Sequence, residues 1–227
     1  VLILSASGQN KDIIQALKRS LSNDNSKVGI VVATRNSPLA DLSRDCSRAS
    51  CFDFDLETGK DGFLATNSLV STMILLGRAY NRLGGLPKNP FGYLATRINP
   101  KIDEAVPVIQ RQTIIALGVG WGMPAVFDFE SKFTEAALGN VQATDLRNFA
   151  HGRHHWLAKR SQETGIVVFA TPDAKTLVHK TLALLPPSVP RVTIETPYDG
   201  PQGTIDLLFN VFRMTSLAGR LRGFDPG

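Results

Sequence analysis

Apolar and polar positions along this chain fall into two kinds of block. Short apolar runs at 1–4, 28–33, 113–117, 166–170 and 191–195 are rich in β-branched residues and bounded by turn residues, so they read as strands. Longer stretches between them place apolar residues at helical spacing. The first, 11–21, repeats them at Ile13, Ile14, Ala16, Leu17 and Leu21. Helices are also predicted over 64–82, 124–138, 174–184 and 203–222, with shorter helical turns near 38–47 and 154–161. Strands alternating with helices predict an α/β protein of mainly parallel sheets covered by helices. The turn cluster Gly84-Gly85-Leu86-Pro87-Lys88-Asn89-Pro90 interrupts this rhythm. It predicts a first unit over 1–85, a linker over 86–109 and a second unit over 110–227.

The first strand runs directly into Ser5-Ala6-Ser7-Gly8-Gln9-Asn10 and then a helix. Such a turn places hydroxyls and backbone N–H groups at a helix N-terminus, where the helix dipole favours an anion; a phosphate is the obvious guest. The same residues also suit an ordinary N-cap, with Ser7 or Asn10 serving the helix's own first amides. The second half opens in a similar way, with Ile114-Ile115-Ala116-Leu117-Gly118-Val119-Gly120-Trp121-Gly122. Its glycines resemble a dinucleotide fingerprint only weakly. The acidic residue expected at the end of a second strand is missing, since Glu135 falls within the following helix.

That helix carries Asp128, Glu130, Lys132 and Glu135, with Lys132 and Glu135 on one face. They read either as a surface ion pair or as a carboxylate base held beside a cation. Further on, His151, His154 and His155 stand within five residues. No cysteine lies near them and no H-E-x-x-H pattern occurs, so no metal is expected; one positionable imidazole, His151, reads as an acid–base candidate or as a surface histidine. Neither a G-x-S-x-G elbow nor a Walker A pattern is present, which leaves acyl transfer and nucleotide hydrolysis without support.

Composition narrows the picture further. With 43% hydrophobic and 20% charged residues the chain is an ordinary globular protein, and no apolar run reaches membrane-spanning length. The formal charge of +5 comes from scattered residues and aromatics make up 7%, which favours phosphorylated metabolites over nucleic acid as partners. Cys46 and Cys51 read as free thiols in a reducing cytosol. The chain starts inside a strand without an initiator Met, as a fragment would.

Together these segments resemble the sugar-isomerase (SIS) family, in particular the tandem SIS half of glucosamine-6-phosphate synthase-like proteins. Ser5–Asn10 is similar to the family's S-x-S-G-x-T phosphate loop, with Asn10 where Thr is usual. Thr34-Arg35-Asn36-Ser37-Pro38-Leu39-Ala40 resembles the next strand end, and Gly118-Val119-Gly120 the G-R-G turn of a second SIS unit. Lys132-Phe133-Thr134-Glu135 resembles the segment holding the isomerising Glu. Asp145-Leu146-Arg147 followed by His151-Gly152 resembles E-L-K-H-G-P, with three extra residues before the His and Arg153 in place of Pro. The resemblance implies two three-layer α/β/α units and a phosphate on Ser5, Ser7, Gly8, Gln9 and Asn10. Glu135 would move the proton between C1 and C2, Lys132 would hold a hydroxyl or oxyanion, and His151 would open the ring. It further implies a cytoplasmic homodimer that isomerises, aminates or deaminates a hexose phosphate without cofactor, or else a non-catalytic sugar-phosphate sensor.

Overall fold

The computed structural model describes residues 1–23, 25–56, 64–80, 82, 92, 96 and 99–226. The chain divides into two compact units, Val1–Leu76 and Gly77–Gly227. Each holds its own parallel sheet, as the alternation of blocks predicts.

In the first unit β1 (Leu2–Ser5), β2 (Val28–Val32) and β3 (Ala49–Asp53) lie in the order β1-β2-β3. Helices α1 (Lys11–Leu21) and α2 (Pro38–Arg44) make the two crossovers. Because the strands advance in one direction, right-handed crossovers put both helices on the same face. Ile3, Val28, Ile30 and Val32 point to that face and pack with Leu17, Leu39 and Ala40. Leu2, Leu4 and Phe52 alternate to the other face and are exposed. Helix α3 (Asn67–Ala79) follows. The turn cluster 84–90 lies outside the described residues.

The second unit has four strands in the order β5-β4-β6-β7: β4 (Thr113–Gly118), β5 (Asn140–Asp145), β6 (Thr164–Ala170) and β7 (Arg191–Glu195). Every pairing is parallel. Helix α4 (Met123–Glu135) leads from β4 to β5. The connection from β5 to β6 holds a π-helical turn, Phe149–Arg153, and α5 (His155–Arg160). Helix α6 (Lys175–Ala183) joins β6 to β7, and the long α7 (Gly200–Arg222) follows. The sheet is covered on both faces. Phe129, Phe133, Leu207, Val211 and Met214 fill one side, while Leu146, Phe149, Leu157, Val178 and Val189 fill the other. Both central strands, β4 and β6, are buried at every residue, as strands sandwiched between helices must be.

The predicted linker is in part core. Residues Pro100–Ala105 and Val106–Ile109 form helical turns, and Ile102, Ala105, Val108 and Ile109 are buried in the second unit. Two strands, β3 and β5, fall where no strand was predicted. Both are edge strands, and their alternating half-polar sequences carry no apolar run.

Candidate functional site

The turn after β1 is built from its own hydroxyls. Ser5 Oγ accepts the Gly8 N–H at 3.0 Å, and Ser7 Oγ accepts the Gln9 N–H at 3.2 Å. Asn10 Oδ1 caps α1 by accepting from Asp12 and Ile13, at 2.8 and 3.2 Å. Each of these side chains keeps donors of its own: a hydroxyl accepts an N–H and still has its proton to give, and the Asn10 Nδ2 carries two. Accepting an N–H also polarises the hydroxyl toward donation. The structure therefore shows an N-cap whose hydroxyls and side-chain amide retain protons to donate.

Gly8 fixes the turn in place. Its φ is +65°, and a methyl group there would lie 2.2 Å from Ser37 Oγ and 2.6 Å from Ser37 Cβ. The Gly8 carbonyl accepts the Leu39 N–H at 3.1 Å, and Thr34 Oγ1 donates to the Ala6 carbonyl at 3.0 Å. The loops after β1 and β2 are therefore clamped together at the carboxyl edge of the sheet, where ligands of α/β folds bind.

On α4 the Lys132 ammonium meets Asp128 Oδ1 at 2.6 Å and lies 4.9 Å from the centre of the Phe212 ring. Its side chain is 4% exposed, so it is withheld from solvent. Burial pushes the Asp128 carboxyl above its ordinary range; Lys132 opposes this, and Glu135 adds to it. Asp128 Oδ2 is buried without a partner. Glu135 is exposed and accepts from Ser131 Oγ at 2.5 Å. Asp128, Lys132 and Glu135 share one helix face at i, i+4 and i+7.

His151 belongs to a different place. Helix α4 begins at the carboxyl edge of the second sheet, so Glu135 at its far end lies about 18 Å from that edge at 1.5 Å per residue. His151 sits in the exposed π-helical turn after β5, at the carboxyl edge. Within one unit the structure pairs Lys132 with the Glu135 face and separates both from His151. Nearby, His154 and His155 stack with ring centres 4.6 Å apart, and Asp145, held low mainly by the Asn148 N–H, begins the turn. Among the described residues no cluster of His, Cys, Asp and Glu is arranged to hold a metal.

Connections from β4 and β6 leave the sheet toward opposite faces, which makes the space between their turns a topological switch point. The glycines there are steric requirements. A methyl group on Gly122 would lie 2.4 Å from the Phe169 carbonyl, and one on Gly118 would lie 2.8 Å from Val126. Beside this point a cleft of about 320 Å³ opens between the ends of β6 and β7, lined by Ala170, Thr171, Pro172, Lys175, Glu195, Thr196 and Pro197.

No family profile matches the chain, and no curated protein matches it in sequence. Solved structures do. Tagatose-6-phosphate ketose/aldose isomerase from Escherichia coli superposes with a TM-score of 0.74 at 15% identity, over 99% of this chain and 69% of that one. The C-terminal domain of glucosamine-fructose-6-phosphate aminotransferase from Francisella tularensis, a SIS domain, gives 0.56 at 14%, over 96% and 70%. The chain has the SIS fold. Glucosamine-6-phosphate deaminase from Thermotoga maritima shares it, with a TM-score of 0.70 at 15% identity over 99% of this chain and 71% of that one.

Within this SIS fold two chemically distinctive groups escaped sequence reasoning. Asp128 was visible as one acid among three on a helix, but its burial follows from tertiary packing that the spacing does not reveal. Glu195 ends a correctly placed strand, yet the basic groups around it come from two other segments, α6 and the Pro100–Ala105 turn. Lys175 reaches it at 3.2 Å, His179 at 3.6 Å and Lys101 at 3.9 Å. The i, i+4 spacing of Lys175 and His179 was the one available signal.

Proposed function

We propose that this chain binds a sugar phosphate, with the phosphate group on Ser5, Ser7, Gly8, Gln9 and Asn10, and that it is an isomerase-type enzyme. One observation carries the reading: the turn after β1 accepts its own amides on Ser5, Ser7 and Asn10 and leaves their donors to an incoming anion. The phosphosugar enzymes that share the fold support the choice of ligand class.

In this reading Glu135, exposed at the end of α4, is the carboxylate that takes a proton from one of the two carbons C1 and C2 and returns it to the other. Lys132 keeps the helix face organised through Asp128, so its expected contact with the substrate requires the buried pair to open. His151 assists ring opening. Glu135 and His151 lie at opposite edges of one sheet, farther apart than a hexose spans. Their joint action on one substrate requires a homodimer in which each site takes His151 from the second copy.

The test is subunit complementation. Glu135→Gln and His151→Ala homodimers are each expected to lose turnover of hexose phosphates. Mixing and re-annealing them should restore activity toward one quarter of the wild-type level, because one site in half of the dimers regains both groups. Wild-type-like turnover in Glu135→Gln would remove the mechanism. Ligand-induced stabilisation with no turnover in the wild type would instead favour the sensor, a reading that the withheld Lys132 supports.

A further inference from the structure

We propose that the cleft at the ends of β6 and β7 is a second binding site, for the phosphate group of a small phosphate monoester, in which Glu195 occupies the anion's place until the ligand displaces it. The second unit repeats the layout that builds the first site. In one, β1 leads through a turn and α1 to the adjacent parallel strand β2; in the other, β6 leads through a turn and α6 to β7. Both turns lie at a carboxyl edge. The cleft of about 320 Å³ is at the small end of the range for ligand sites.

Lys175 and Glu195 line the cleft, Lys101 and His179 approach Glu195 from outside its lining, and the charges around Glu195 do not balance. Lys175 Nζ lies 3.2 Å from Glu195 Oε2, while Lys101 Nζ and His179 Nε2 lie 3.9 and 3.6 Å from Oε1. One carboxylate therefore serves two ammonium groups and an imidazole, leaving an excess of at least one positive charge. Asp173, two residues before Lys175, is engaged elsewhere: its Oδ1 accepts from Thr171 Oγ1 at 2.5 Å, and its Oδ2 faces the Gly120 turn. Burial works against ionisation of Glu195, but Lys175, Lys101 and His179 outweigh it and hold the carboxyl below its ordinary range. Strand geometry is fixed independently of these charges. Asn99 Nδ2 donates to the Glu195 carbonyl at 3.0 Å, and the Thr196 N–H donates to the Ala170 carbonyl at 3.1 Å. No side chain caps α6, whose first residue is Lys175. A phosphate offers the two ammonium groups more charge and more acceptors than a carboxylate does. Ala170, Pro172 and Pro197 give the carbon part of an ester an apolar wall.

The experiment is a titration of the isotope-labelled protein with inorganic phosphate and, separately, glucose 6-phosphate, followed residue by residue by NMR. Saturable shifts at the Thr171, Lys175 and Thr196 amides are expected, distinct from any at Gly8 and Gln9. This site's failure is thereby separated from failure of the Ser5–Asn10 site. Tighter binding of the ester would name a phosphorylated metabolite as the source, and equal binding would name free phosphate; either supports the site. Glu195→Gln removes the resident competitor and should tighten phosphate binding about fivefold. Lys101→Ala with Lys175→Ala should weaken it by roughly tenfold or more. Spectral dispersion and the melting temperature establish that each variant is folded. Weaker binding in Glu195→Gln, or shifts that do not saturate in the wild type, would overturn the proposal and leave an ion-pair cluster only.

Discussion

Replacing Gly8 by Ala tests the clamp between the β1 and β2 loops. Two costs add. An L-residue at a φ of +65° is in the left-handed region, which costs about 1 kcal/mol. The new methyl would also lie 2.2 Å from Ser37 Oγ and 3.0 Å from Val32 Cγ2. Ser37 cannot retreat cheaply, because it is 3% exposed and caps α2 through the Ala40 N–H. Overpacking of this kind costs about 1–3 kcal/mol. The sum is roughly 2–4 kcal/mol. Native-state hydrogen exchange at the Ile30 and Val32 amides reads it directly, and at the middle of that range exchange should accelerate roughly 150-fold. Adding Ser37→Gly removes the main overlap at a cap cost of only a few tenths of a kcal/mol, so the double variant should recover most of the steric part, about 1–3 kcal/mol. Wild-type protection in Gly8→Ala would refute the clamp, and no recovery in the double variant would refute its steric origin.

Four further outcomes are expected. Asn10→Ala removes the cap of α1 and should cost about 1 kcal/mol, measured by denaturant unfolding. Asp128→Asn takes the carboxylate away from a buried, charged Lys132 and should cost about 3 kcal/mol, more than Lys132→Met, which leaves a carboxyl able to take a proton. Asp128 is raised in the folded state, so its contribution is fully present below the unfolded value of 3.8 and is lost as pH rises through the folded value; Lys132→Met should steepen this gain on acidification, measured as melting temperature against pH. Glu195 is lowered, so its contribution is present above the unfolded value of 4.5 and is lost as pH falls through the folded value. Glu195→Gln should flatten that part of the acid profile.

Local pattern and tertiary context contributed differently to what could be read in advance. Helix α1 and strand β7 appear at their predicted limits, Lys11–Leu21 and Arg191–Glu195, because periodicity and turn residues agree there. Helix α7 begins at Gly200 rather than 203: Gly200 and Pro201 look like breakers, but proline is well suited to the first turn of a helix. Strands β3 and β5 escaped because an edge strand holds itself by pairing to one neighbour and needs no apolar run. The apolar run Val1-Leu2-Ile3-Leu4 reads as a short buried strand, whereas Leu2 and Leu4 are exposed at 48% and 41%. The hydroxyl turn was legible because its donors and its cap are local. The separation of Glu135 from His151 was not, since it follows from the direction in which α4 crosses the sheet.

Calorimetric titration of fructose 6-phosphate into the wild type and into the Ser5→Ala, Ser7→Ala double variant tests the central claim most directly. A saturable binding event that depends on the Ser5–Asn10 turn is expected, separate from any at the β6–β7 cleft, and greatly weakened in the variant while its fold and melting temperature persist. Equal binding by both proteins would contradict it, because the phosphate would then be held elsewhere.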